Sequence, residues 1–321
     1  MFRPCPGRKN HARGELLFGR SEAVRRHDRG ILAPHTRAKH RVLRSYLRAW
    51  FPIMARLKRA GTIRYIDGYC GPGRYGDQPG SPLIALQAAI EAHQRNPSKP
   101  HIFDFVDKDP KCTKQLEKAL KGMELPSRFE VRVHTGDFES FLPELLSTLQ
   151  DGHAVFAFLD PFGFDVKPEV VAQLLPRKTK MREVLLYFPI GAAHRFRSHP
   201  YLKAIMEAWG IDAGGRDLED IRQGCQLTLG KFVEYILTFS MLDRRRRPIY
   251  DLFFVTDSLK GFMKMKEAMW GVDRAGISVT RTPTTLHSCG CLNLNRPRSC
   301  GLELRRCSEA DEYLPRLFSP L

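Results

Sequence analysis

Four acids stand where apolar runs end. Ile63 to Ile66 stops at Asp67, His101 to Val106 stops at Asp107, Phe129 to Val133 is followed by Gly136-Asp137, and Ala154 to Leu159 stops at Asp160. A carboxylate fixed at the end of a buried strand offers acceptors to hydroxyls and amines, and negative charge to a cation. The first acid opens the run Asp67-Gly68-Tyr69-Cys70-Gly71-Pro72-Gly73. Glycines there let the backbone come close to a ligand, and the periodic run after Gly80-Ser81-Pro82 supplies a helix start with N–H groups free to donate. Any one of these acids could simply cap the helix that follows it. Four in succession beside a glycine loop favour a nucleoside-containing ligand.

The elements that must hold these residues alternate. Apolar strands separated by helices predict a parallel sheet covered on both faces, with ligands at the carboxyl ends of the strands. The expected fold is therefore α/β, a doubly wound, mostly parallel sheet, preceded by an N-terminal helix. In that helix Thr36 is the expected N-cap, Leu43, Tyr46, Leu47, Trp50 and Met54 recur at helical spacing, and Pro52 is expected to kink or divide it. Residues 191 to 230, with a short helix from Tyr201 to Trp209, read as an insertion after the fifth strand. Phe232 to Met241 reads as a helix, Tyr250 to Val255 as a strand and Gly261 to Trp270 as a helix. Three segments result: a basic, mostly irregular arm (1–34), the α/β domain (35–273) and an irregular tail (274–321).

Charge is unevenly spread along the 321 residues. The net charge is +17, yet residues 1 to 64 hold 17 Lys and Arg against Glu15, Glu22 and Asp28 (+14), and residues 65 to 321 hold 35 against 32 (+3). A basic arm of this kind is suited to nucleic-acid phosphates, or is a solvated extension. No apolar run reaches bilayer-spanning length, so no membrane partner is expected. With eight scattered cysteines and no secretory signal, the expected location is the cytoplasm. Half of the cysteines fall in the tail, where Cys289, Cys291, Cys300 and Cys307 with His287 follow no metal-ligand spacing. No metal site is expected. Cys70 reads as a small residue packing under a ligand, and His35, His40, His194 and Arg195 read as helix-end or surface residues, the last two at the active edge of the sheet.

The loop itself selects a cofactor class. A dinucleotide site needs G-x-G-x-x-G at a helix start; here the third glycine is missing at that spacing, and Asp67 would repel a pyrophosphate. The loop resembles the D-x-F-x-G-x-G loop of class I S-adenosylmethionine-dependent methyltransferases. That resemblance implies S-adenosylmethionine as cofactor, with Asp67, Gly68, Gly71 and Gly73 around its methionine end, Asp107 (or Asp109) on the ribose and Asp137 near the adenine. Asp160-Pro161-Phe162-Gly163 sits where DNA amino-methyltransferases carry D/N-P-P-Y/F, which would make Asp160, Pro161 and Phe162 the catalytic set. The match is partial, because Gly163 takes the aromatic position, and a tight turn capping a helix explains the run equally well.

A wider resemblance runs from about residue 35 to 273. His35-Thr36 with Lys39-His40, Tyr46-Leu47 with Ala49-Trp50, the Tyr65-to-Tyr75 stretch with Gly80-Ser81-Pro82-Leu83, Asp160 to Gly163, and Gly261 with Ala268-Met269-Trp270 look like the three-Cys-motif partner proteins (TcmP). This implies a methyltransferase-like fold and the company of a small three-cysteine protein. Two functions follow. One is methyl transfer to a nucleic-acid or protein acceptor. The other is a non-catalytic adaptor that binds nucleic acid or the three-cysteine partner through its arm or insertion. A magnesium nuclease built on Asp107, Asp137 and Asp160 is a weaker third, for want of a lysine or glutamate placed with them.

Overall fold

The computed structural model describes residues 32–281 apart from 165, 176–180, 212–216, 244 and 273–279. The basic arm up to residue 31 and the cysteine tail, including Cys289, Cys291, Cys300, Cys307 and His287, lie outside the described residues.

Helix α1 (Pro34–Arg56) leads into strand β1 (Thr62–Asp67), a small hairpin of β2 (Arg74–Tyr75) and β3 (Gln78–Pro79), and helix α2 (Ser81–Arg95). Then β4 (His101–Asp107), α3 (Pro110–Leu120), β5 (Phe129–Thr135), α4 (Phe138–Ser147), β6 (His153–Leu159), α5 (Pro168–Leu174) and β7 (Arg182–Phe188) alternate. Three helices follow, α6 (Ile190–Arg195), α7 (Pro200–Ala208) and α8 (Leu218–Gly230), and then β8 (Tyr235–Leu242), β9 (Pro248–Thr256), α9 (Leu259–Val272) and the short β10 (Thr280–Arg281). The sheet order is β10-β8-β9-β7-β6-β1-β4-β5. Strands β5, β4, β1, β6 and β7 pair in parallel, and β9 runs antiparallel between β7 and β8. Order reverses at β1, from which the chain first builds outward through β4 to β5 and then returns to β6. This is the doubly wound, mostly parallel, Rossmann-like sheet that the alternating pattern predicts, and both of its faces are covered by large buried clusters.

Two expectations are corrected and one is narrowed. Thr36 lies inside α1, which starts at Pro34 with Ala33 as N-cap; proline at the first helical position needs no N–H partner and is preset for helix. Pro52 does not divide α1, which continues to Arg56. An interior proline costs about 3 kcal/mol, whereas Leu43, Leu47 and Phe51, each 0% exposed, contribute about 1.5–3 kcal/mol apiece by burial. Packing therefore outweighs the proline. The run from Phe232 to Met241 is not a helix but β8, and the helix of this region is α8 before it.

α1 is locked to the sheet by a buried polar contact. Tyr46 Oη donates to Glu183 Oε2 at 2.6 Å, and Thr256 Oγ1 donates to Oε1 at 3.2 Å. A Cβ on Gly261 would lie 2.0 Å from Glu183 Oε1, so a side chain there would have to displace the buried carboxylate. Burial pushes the Glu183 carboxyl up to about 7. The motif residues Tyr46 and Gly261 thus meet at one point and serve the fold.

Candidate functional site

All four acids stand at the carboxyl ends of β1, β4, β5 and β6, where the topology places a ligand crevice. They are used differently. Asp67 is fully buried; its Oδ1 accepts from Tyr69 N–H and its Oδ2 from Tyr65 Oη, each at 3.4 Å, which is long for such bonds. Burial pushes its pKa up to about 7, the Ser81 side chain and Tyr69 N–H oppose this, and the charges of Asp160 and Asp107 add to it. Asp107 takes Gly71 N–H on Oδ2 and Asp109 N–H on Oδ1, both at 2.8 Å, and burial raises its pKa as well. Each of its oxygens keeps capacity for a second donor. Asp109 caps α3 through Lys111 N–H at 2.8 Å, which commits it to the helix. Asp137 likewise caps α4, through Ser140 N–H at 3.2 Å. Asp67, Asp107 and Asp160 share one electrostatic neighbourhood, while Asp137 stands at the next helix start.

The glycine loop is shaped by the chain's own packing. Gly71 and Gly73 have φ of +63° and +77°, the left-handed region in which a side chain is strained. A Cβ on Gly71 would approach Tyr75 Oη to 2.6 Å, and one on Gly73 would approach Leu116 Cδ1 to 2.6 Å. Gly80 N–H donates to the Gly73 carbonyl at 2.7 Å, closing the hairpin that separates the loop from the start of α2. Cys70 is buried beneath it, and burial with Asp67 and Asp107 alongside pushes its thiol far up, so it packs and does not act as a nucleophile.

Asp160 brings in a residue that motif reading did not place in the site. Lys39, from α1 and 6% exposed, donates Nζ–H to Asp160 Oδ2. The ammonium also lies 5.0 Å from the Tyr187 ring centre and 5.8 Å from that of Tyr250. Tyr250 Oη donates to the His35 carbonyl at 2.7 Å, which fixes the first turn of α1 over this edge of the sheet. The signal was present in the spacing, since Lys39 lies four residues before Leu43, in phase with the buried stripe of an amphipathic helix. A lysine there is buried only if paired.

Beside Asp160, Pro161 is buried and Phe162 is 49% exposed. The aromatic ring expected to be displaced by Gly163 is thus presented one position earlier, at a turn where Gly163 has φ of 101°. Phe162 lines a groove of about 890 Å³ together with Tyr187, His194, Arg195 and Arg197. His194 and Arg195, placed by sequence at the active edge, are in this groove. Among the described residues no three His, Cys, Asp or Glu side chains are grouped to hold a metal ion, and the arrangement of Asp107, Asp137 and Asp160 around magnesium is not found. No helix among them is long and apolar enough to cross a membrane.

No family model matches the chain, and no curated protein matches it in sequence. The three-Cys-motif resemblance therefore rests on the motifs themselves. Among solved structures, a Legionella pneumophila protein, LPL1258, is similar at 11% identity and TM-score 0.47, over 74% of this chain and 91% of its own. The O-methyltransferase TomG of Streptomyces achromogenes, in complex with S-adenosylmethionine, is similar at 16% identity and TM-score 0.38, over 80% and 92%. The S-adenosylhomocysteine-bound methyltransferase PaMTH1 of Podospora anserina is similar at 12% and 0.34, over 78% and 97%. Likeness at this level carries no residue role across, so the function has to be argued from this chain's own site.

Proposed function

We propose that the chain binds S-adenosylmethionine in the acid-lined crevice at the β1 loop and methylates an acceptor held beside Asp160. The observation that carries this reading is the convergence of three carboxylates, Asp67, Asp107 and Asp160, at the loop, with Asp160 paired to Lys39. A fully buried carboxylate pushed up to about 7 marks a crevice short of positive charge, which favours a ligand that brings it. S-adenosylmethionine carries an ammonium and a sulfonium, and when bound it supplies an electrophilic methyl group.

This chain's residues then have the following tasks. Asp67 ionises and faces the cationic end, while the loop of Gly68, Gly71 and Gly73 lets the backbone close around it. Asp107 offers its two remaining acceptor positions to ribose hydroxyls. Asp137 lies at the adenine side. With Oδ2 held by Lys39, Asp160 keeps Oδ1 for the acceptor, and the Pro161 carbonyl is the second acceptor for an amine. The acceptor loses a proton as it gains the methyl, and Asp160 stands to take it. Rate enhancement comes chiefly from alignment of the two reacting atoms. Calorimetry tests the proposal: the wild type binds S-adenosylmethionine and Asp67→Ala loses at least tenfold in affinity. A wild type that takes up no cofactor would sink it.

The hold of Lys39 on Asp160 favours a second reading, a non-catalytic adaptor in which that acid is structural. Cofactor binding without methylation of nucleic acid or protein, even with the small three-cysteine protein present, would select it. On the motif resemblance we also propose that protein as the partner of this chain, and co-purification of the two is the check.

A further inference from the structure

The groove beside Asp160 has a chemistry of its own. Its cationic side chains are Arg195, Arg197 and Arg247, and its acid is Asp243. Arg247 Nη2 lies 2.7 Å from Asp243 Oδ2, so that pair is internally neutralised. The other two are not. Arg195 is exposed, with its guanidinium 5.8 Å from the Phe196 ring centre, and exposed Arg197 donates Nη1–H to the His194 carbonyl at 2.8 Å. Among the described residues neither is paired with a carboxylate. The last residue of α6, Arg195, and Arg197 just beyond it thus bring two exposed guanidinium groups to the groove, and each has donors left over for a bidentate anion.

The same lining carries aromatic rings. Phe162 exposes 49% of its surface directly after Asp160 and Pro161, and Tyr187 lies in the lining. A half-exposed ring in this position offers a π face on which a planar partner can stack. The hollow, about 890 Å³, is of the size that holds a ligand of a few hundred daltons. A ring on which a planar partner can stack and two guanidinium groups for an anion, brought into one groove next to Asp160, match the chemistry of a nucleotide.

We propose that this groove is the acceptor site and that it takes a nucleotide, with the base on Phe162 and the phosphate at Arg195 and Arg197. The proposal rests on the methyl-transfer reading above, yet it is tested without the cofactor. The same chemistry is offered by a free nucleotide and by one residue of a single strand. Fluorescence titration of the full chain with the four nucleoside 5′-monophosphates, with mixed-sequence single-stranded 12-mers of DNA and of RNA, and with a polyglutamate 12-mer separates these sources. At least one nucleotide probe should bind, and Arg195→Ala/Arg197→Ala should lower that affinity tenfold or more while reducing the slope of log K against log salt.

Binding of monophosphates assigns a free nucleotide; binding of 12-mers alone assigns a strand. Both substituted arginines are exposed, and an unchanged melting temperature of the double variant shows that the loss is not unfolding. No binding of any nucleotide probe by the wild type overturns the proposal. So does nucleotide binding that survives the double substitution, or polyglutamate binding tighter than all of them. A chain that binds nucleotides in this groove but not S-adenosylmethionine would keep the groove and sink the methyltransferase reading.

Discussion

The crevice at the β1 loop gathers Asp67, Asp107 and Asp160, the last paired with Lys39, whereas the groove next to it is lined by Arg195 and Arg197, neither of which is paired with a carboxylate among the described residues. Both open at the same edge of the sheet, yet they sort charge in opposite senses. Burial amplifies the first, because a carboxylate removed from water is forced either to protonate or to find a cation. Exposure softens the second, whose guanidinium groups are hydrated and act by steering and by bidentate contact. A cationic donor and an anionic acceptor would each be repelled by the other's site. Opposed charge is thus a means of keeping two ligands in their places before they react.

The comparison is broken most directly at Asp67. Asp67→Asn keeps the shape and removes the charge, and cofactor affinity should fall about 100-fold, roughly 3 kcal/mol, with nucleotide affinity unchanged. Stability should move the other way. The carboxyl rises from about 4 in the unfolded chain to about 7 in the fold, so folding takes up a proton between those values and stability falls as pH climbs through them. Above pH 7 the buried charge is a standing cost that asparagine lacks. Asp67→Asn should therefore melt above the wild type at pH 8, with the gap narrowing toward pH 4. A variant that melts lower at pH 8, or that binds cofactor as the wild type does, would show that Asp67 is not the strained acid described.

Lys39 is the next point of attack. Lys39→Met keeps the buried stem but leaves Asp160 facing Asp67 without its cation. Removing one partner of a fully buried pair costs about 3–5 kcal/mol; with the Asp160 side chain 22% exposed, a loss of about 1–3 kcal/mol is expected. Denaturant melts measure it, and Lys39→Met/Asp160→Asn should recover most of the loss. If the double variant is no better than the single one, the pair is not what holds α1 over the site.

A third effect separates the two hollows by pH alone. Binding a cation next to Asp67 requires its ionised form, so cofactor affinity should fall about tenfold per unit as pH drops below about 7 and level off above it. Calorimetry in buffers of different ionisation enthalpy reads the proton released. Cofactor affinity that is flat from pH 6 to 8 would remove Asp67 from the cation's contacts.

What the sequence disclosed follows from which signals are local. The strand-end acids and the glycine loop were legible because a buried parallel strand is a continuous apolar run and its end is abrupt. β8 was not. In Phe232 to Met241 every odd position is apolar and Glu234, Thr238 and Ser240 fall on even ones, but Phe232 and Ile236 blur this alternation and the run is long enough for a helix. Arg245 to Arg247 form the turn between antiparallel β8 and β9, where Asp243 Oδ1 accepts Arg245 N–H at 2.8 Å and Arg247 N–H at 2.9 Å, and Pro248 opens β9. The pairing of Lys39 with Asp160, 121 residues apart, could be anticipated only as a lysine in phase with an apolar stripe. Its partner is set by how α1 crosses the sheet, and no local pattern encodes that crossing. Asp109 and Asp137 show the converse case, since the capping role that any strand-end acid could have is the one that both of them take.

The smallest expected effect is the most selective. Phe162 is exposed, so Phe162→Leu should shift stability by no more than about 0.5 kcal/mol, and the acid crevice, which it does not line, should bind cofactor within twofold of the wild type. A leucine covers much of the same surface but offers no π face. Stacking of a base on an aromatic side chain contributes about 1–3 kcal/mol, and an aliphatic replacement forfeits part of that, so nucleotide affinity should fall about threefold to tenfold. The loss should be equal at low and high salt, because no charge is removed. Arg195→Ala/Arg197→Ala should instead lose most at low salt. If Phe162→Leu and the arginine variant lose affinity with the same salt dependence, ring and charges do not act on separate parts of one ligand, and the groove holds an anion without a base.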